Sequence, residues 1–151
     1  MARVIKFRGR SIADDSWVYG DLVQTAENKT AIWPIDSKSQ IGIVEVYPES
    51  VGQYTNLLDR NKREIFEGDI VRQTWETTIV DDYDDAWDAS GTQTGPVVIR
   101  TQGVCISPCL TENHTNGDKT ITKNKRISGY RCEVIGNKHD NPNFFENICN
   151  D

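Results

Sequence analysis

Four cysteines and two histidines are the residues of this 151-residue chain best able to bind a metal or act as nucleophiles. Cys105 and Cys109 are close in sequence, His114 follows shortly after, and Cys132 lies further on. A structural zinc site usually pairs two short-spaced motifs. Only one is present here, so the spacing favours cysteines packed as small hydrophobes. Thiol catalysis would need a histidine and an orienting group beside the sulfur. His114 and His139 both fall in polar stretches, where a solvated side chain is the plainer expectation.

Glu64, Glu67 and Asp69 resemble a carboxylate cluster, but they flank a turn, and turn geometry is the expected role. Residues 81–88, D-D-Y-D-D-A-W-D, hold five aspartates. A calcium loop would need glycine at its sixth position and glutamate at its twelfth. Counting from Asp81, those positions are Ala86 and Thr92, so a solvated loop is expected. Tyr83 and Trp87 within it can anchor the loop or contact a partner. Lys119, Lys123, Lys125, Arg126 and Arg131, with Tyr130, form a basic cluster. It reads as a lysine-protected sheet edge, or as a small face for nucleic acid or an acidic partner. No phosphate loop, dinucleotide fingerprint, nucleophile elbow or H-E-x-x-H occurs. No catalytic, metal or cofactor-binding residue is therefore assigned, and no cofactor is expected. The candidate interaction residues are Tyr83, Trp87, Lys123, Lys125 and Arg126.

Short strands and turns must position these groups. Residues 3–8 alternate, Ile5 and Phe7 on one face and Lys6 and Arg8 on the other, as in a half-buried strand. A polar turn leads to a second strand at 17–23, completing an antiparallel hairpin. Ala31, Ile32 and Trp33 make a brief strand ended by Pro34. A loop is expected at 36–40 and a strong strand at 41–47. Pro48, Glu49 and Ser50 suit one helical turn with Ser50 as its cap. A strand is expected at 70–80, a Gly- and Thr-rich turn at 90–96, and strands at 97–99 and 104–106. Asn116-Gly117 is a hairpin signal between a strand ending near Thr111 and one over 119–123. The last long strand is expected at 127–135, with Tyr130, Cys132 and Val134 on one face. Asn141 and Pro142 suit the start of a short helical turn at 143–146.

The densest turn-and-strand signals lie at 51–72, V-G-Q-Y-T-N-L-L-D-R-N-K-R-E-I-F-E-G-D-I-V-R. Tyr54, Leu57 and Leu58 are expected to face inward. Turns follow at Asp59-Arg60-Asn61-Lys62 and at Glu67-Gly68-Asp69, and Ile70-Val71 starts a strand. This stretch resembles the YopX family of small phage and prophage proteins, through Val51-Gly52-Gln53-Tyr54-Thr55, Leu57, Asp59, Asn61, Glu64-Ile65 and Glu67-Gly68-Asp69-Ile70-Val71. Ile5-Lys6-Phe7-Arg8 and Val18-Tyr19-Gly20-Asp21-Leu22 look like its opening hairpin, and Glu133-Val134-Ile135-Gly136-Asn137 with Asn141-Pro142 like its close. Asn56 and Lys62 stand where the family usually has glycine. Lysine takes the left-handed region poorly, so the turn at Lys62 is expected to differ in shape. The resemblance implies a mainly β fold of antiparallel strands in a small barrel or half-barrel, with SH3-like character in the C-terminal part. At most one or two short helical turns are expected. It implies one domain over 1–151, with possible sub-lobes at 1–50 and 51–151, and it brings no catalytic residues.

The length suits one domain, and no apolar run approaches the roughly 18 residues of a membrane span. The N-terminus lacks the apolar segment of a signal peptide, so the host bacterial cytosol is expected, with reduced cysteines. A net charge of −6 argues against non-specific duplex binding, though a local basic face is allowed. The expected function is a non-catalytic protein-interaction module whose partner is a host or phage protein the sequence does not name. The alternative is a nucleic-acid-associated protein using the hairpin at 119–131. Edge strands allow a homo-oligomer.

Overall fold

The computed structural model describes residues 2–35 and 42–144. It is mainly β, with antiparallel pairing throughout and two 3₁₀ turns among the described residues. The first sheet has the order β4-β3-β2-β1-β5-β6, built from β1 (Phe7–Arg10), β2 (Trp17–Gln24), β3 (Thr30–Pro34), β4 (Val44–Glu45), β5 (Gly52–Leu58) and β6 (Glu64–Phe66). The second has the order β11-β10-β8-β7-β13, from β7 (Asp69–Val80), β8 (Ala86–Arg100), β10 (Cys109–Asn113), β11 (Lys119–Thr122) and β13 (Cys132–Asn137). β9 (Gly103–Ile106) joins β8 to β12 (Lys125–Arg126). Both sheets are open, so the expected barrel does not close among the described residues.

The β1–β2 hairpin forms, with Arg8 opposite Tyr19, but its buried side is not the expected one. Ile5 is 67% exposed, whereas Arg8 is 7% exposed. Arginine can lie inward here because Asp69 meets its charge and Trp17 and Phe66 stack on it. The expected strand at 41–47 shrinks to Val44–Glu45 and an isolated bridge between Ser11 and Val46, and Ile41 and the loop at 36–40 lie outside the described residues. The helical turn at Pro48–Ser50 is present, but Ser50 does not cap its start. Its hydroxyl donates to the Tyr47 carbonyl and accepts from the Arg10 N–H.

The central stretch makes its two reversals, β5 to β6 to β7. Tyr54 is buried and Leu57 packs against the core, while Leu58 is exposed. Lys62 and Asn56 both adopt the left-handed backbone that glycine favours, at φ 64° and 66°. The expected turn at 90–96 is instead the middle of β8, because its glycines serve close packing. A Cβ on Gly91 would lie 1.8 Å from the Glu112 carbonyl oxygen, and one on Gly95 2.2 Å from that of Pro108.

The expected strand at 127–135 is interrupted by a 3₁₀ turn at Gly129–Arg131, which leaves Tyr130 72% exposed. The buried Gln73 side chain takes the backbone bonds a ladder would have used, accepting from the Ser128 N–H and donating to the Arg126 carbonyl. Asn141 turns the chain by accepting from the Asn137 N–H, the Phe144 N–H donates to the Asn141 carbonyl at 3.2 Å, and residues 145–146 of the expected C-terminal turn lie outside the described residues. One buried cluster unites Ile65, Val71, Val97, Ile106, Cys109, Cys132 and Val134. It draws on both sheets.

Candidate interaction site

β7 and β8 pair from Ile70 opposite Pro96 to Val80 opposite Ala86, the longest ladder in the molecule among the described residues. Their neighbours stop short. β13 pairs with β7 only as far as Gln73, and β10 pairs with β8 only as far as Gly91. Ser90 is still held, its carbonyl accepting from the His114 N–H and its N–H donating to the Thr115 hydroxyl, and beyond it the hairpin continues as a two-stranded ribbon with both outer edges unpaired among the described residues. Val80 at its far end lies about 23 Å along β7 from Gln73, at about 3.3 Å per residue. The ladder puts Trp75, Thr77 and Ile79 on one face with Ala89 and Trp87. On the other face, Thr78 donates to Asp88 directly opposite, at 2.9 Å.

The ribbon ends in the aspartate run, which is solvent-exposed at 82–85 as expected and is also tied by hydrogen bonds within the turn. Asp81 Oδ1 accepts from the N–H groups of Tyr83 and Asp85, and the Asp81 N–H donates to the Asp85 carbonyl. Ala86, Trp87 and Asp88 lie in β8. Of the two aromatic candidates, Tyr83 is 86% and Trp87 45% exposed, so neither anchors the turn on the core. Between Arg72 and Arg100 the chain holds Glu76, Asp81, Asp82, Asp84, Asp85 and Asp88 and no lysine or arginine. These six carboxylates equal the whole net charge of −6, so the rest of the chain is formally neutral.

The basic candidates lie at the root of this ribbon. Lys119, on the edge strand β11, pairs with Glu112 at 3.6 Å. Lys123, Lys125 and Arg126 are exposed and form no salt bridge among the described residues. The Arg131 guanidinium stacks on Tyr130 at 5.2 Å.

The groups considered for bond-making are separated. Cys105, Cys109 and Cys132 are at most 1% exposed, as core cysteines should be. Burial pushes the Cys109 thiol up, and burial with the charges of Asp59 and Asp69 pushes Cys132 up to about 12. Both therefore stay protonated and poor as ligands or nucleophiles. Among the described residues no three His, Cys, Asp or Glu side chains converge on a common point. Each carboxylate of the central stretch has its own partner. Glu64 pairs with Lys6, Glu67 accepts from the Ile99 N–H, and Asp69 pairs with Arg8.

A family model described as YopX protein matches residues 6–146. The chain belongs to the YopX family. No curated protein matches it well enough to supply a relative. In this YopX chain, Arg8 from the opening hairpin and Asp69 from the central stretch meet between the sheets. Beside them a cleft of about 200 Å³ is lined by Arg8, Trp17, Glu67, Lys138 and His139. His139 is not the solvated loop residue expected, since it sits between the rings of Trp17 and Tyr47 with Nε2 3.8 Å from Asp15. His114 is as expected more than half exposed, with Nε2 4.0 Å from Glu112. Only the alternation of 3–8, read with Arg8 inward, would have pointed to the pair. Among the described residues no helix is long and apolar enough to cross a membrane.

Proposed function

We propose that this YopX chain is a non-catalytic interaction module that holds a protein partner through the β7–β8 ribbon. The supporting observation is the unpaired ribbon itself. A two-stranded ribbon gains little stability alone in water, yet this one projects Val80, Tyr83 and Trp87 into solvent. Aromatic side chains ringed by polar groups are typical anchors of protein interfaces. Sealed thiols and individually paired carboxylates support the non-catalytic part of the reading. Family membership suggests a phage or prophage setting, and the host cytosol is the matching compartment. Capture from infected host cells tests it. A host or phage protein retained by the wild type and lost on Tyr83→Ser with Trp87→Ser supports the reading, and unchanged capture opposes it.

A second reading assigns nucleic-acid binding to Lys123, Lys125 and Arg126. It is favoured by their lack of acidic partners and by the formal neutrality of the chain outside the ribbon. A salt-dependent shift of labelled DNA or RNA, lost on Lys123→Glu with Arg126→Glu, would support it.

A further inference from the structure

We infer that the partner of the ribbon is a second copy of this chain, received on the basic ledge at 121–131. This rests on the ribbon being an interaction surface and adds what it meets. The ribbon face and tip offer Ile79, Tyr83 and Trp87 beside the four tip aspartates, Asp81, Asp82, Asp84 and Asp85, and no cation. The ledge offers the inverse charge, the exposed Lys123, Lys125, Arg126 and Arg131, with an exposed Ile121 at one end of the segment and Tyr130 at the other. Negative tip thus meets positive ledge, with exposed apolar side chains on both.

The two surfaces do not reach each other within one chain. The ledge is tied to Gln73, whose side chain bonds Arg126 and Ser128, and Gln73 is the root of the ribbon. The tip lies about 23 Å farther along. That separation exceeds the Debye length of about 8 Å at physiological salt, so the charges are not satisfied internally. A neighbouring copy satisfies both at once. In a two-fold dimer each ribbon lies on the other's ledge, which closes the assembly with the fewest chains. Pairing of two ribbons side by side would instead bring together two surfaces of the same charge.

Sedimentation velocity of the full chain at low and high salt tests this. A species heavier than one chain is expected at low salt, with association weakened at least about tenfold at high salt. Asp82→Lys, Asp84→Asn and Asp85→Lys together reverse the tip, from four negative charges to a net positive one, and leave Asp81, which holds the turn, in place. Lys123→Glu, Lys125→Glu and Arg126→Glu together reverse the ledge, leaving Arg131 as its one cation. Each variant alone should be monomeric, and an equimolar mixture of the two should associate again, because each then meets an opposite charge. A wild-type monomer at every salt concentration, or an assembly indifferent to salt and to both reversals, overturns the inference. A monomer that still captures a different protein through Tyr83 and Trp87 overturns only the second copy and leaves the interaction module standing.

Discussion

Arg8 of the first sheet lies 2.7 Å from Asp69 of the second, with only 9% and 4% of the two side chains exposed. The guanidinium also stacks on Trp17 at 4.4 Å and on Phe66 at 5.0 Å. Asp69 accepts from the Phe66 N–H at 2.8 Å through its other oxygen, so the same carboxylate shapes the β6–β7 turn. Burial pushes Asp69 above the ordinary carboxylate range, while the Arg8 charge and the Phe66 N–H pull against it. The pair is a pin between sheets whose charges must both be present.

Removing one partner should therefore be far worse than removing both. Arg8→Met alone should cost about 3–5 kcal/mol, because it strands a buried carboxylate. The double variant with Asp69→Asn should cost less than the two single losses added together. A double-mutant cycle in urea should give a coupling of about 1–3 kcal/mol. Simple additivity would mean that the ion pair contributes nothing specific.

Lys62 carries a different strain. Its φ of 64° is available to glycine without penalty, and lysine is disfavoured there. Lys62→Gly should raise stability by roughly 0.5–1 kcal/mol, the relief of strain exceeding the added freedom of the unfolded chain. Asn56 is the contrast at φ 66°, since its side chain accepts from the Val4 N–H and donates to the Val4 carbonyl. Asn56→Gly should be neutral or destabilising. A higher urea midpoint for Lys62→Gly and none for Asn56→Gly would bear this out.

The same positions show what the sequence made legible. Turn chemistry at Asp59, the strand at 17–23 and the Asn116-Gly117 signal each depend on neighbours in the chain, and all three came through. What failed depended on contacts across the fold. Gly91 and Gly95 read as turn residues, yet they lie in a strand because other backbone presses on them. Arg8 read as the solvent face, and its inward position needs Asp69, which is distant in sequence. Tyr130 left its predicted face because Gln73 captured the adjoining backbone. At the candidate site Tyr83 and Trp87 stood out by composition, but the free ribbon edges were invisible without the registers of β10 and β13.

Asp59 sets a pH dependence. Burial works to raise its pKa, but N–H donors from Val134, Arg63 and Asn61, with the Arg63 charge, outweigh burial and hold it below 3.8. A carboxylate depressed on folding stabilises the fold above its unfolded value of 3.8 and loses that contribution as pH falls through the folded value. Asp59→Asn should cost about 1–3 kcal/mol near neutral pH, since an amide cannot accept at both oxygens. Its gap from the wild type should narrow as pH drops below 3.8. A gap independent of pH would remove charge from the explanation.

The ribbon and the core should separate experimentally. Every member of the buried cluster lies outside residues 74–90, and the carboxylates there repel one another. Replacing residues 78–88 by Asn-Gly keeps a tight turn and removes exposed aromatic surface. The melting temperature should then move by no more than about 3 °C, equivalent to about 1 kcal/mol for a chain of this size. A fall above about 10 °C would make the ribbon part of what folds the protein. An unchanged melting temperature with partner binding lost would mean that chain is spent here on a surface that stability does not require, which is the physical signature of a segment kept for recognition.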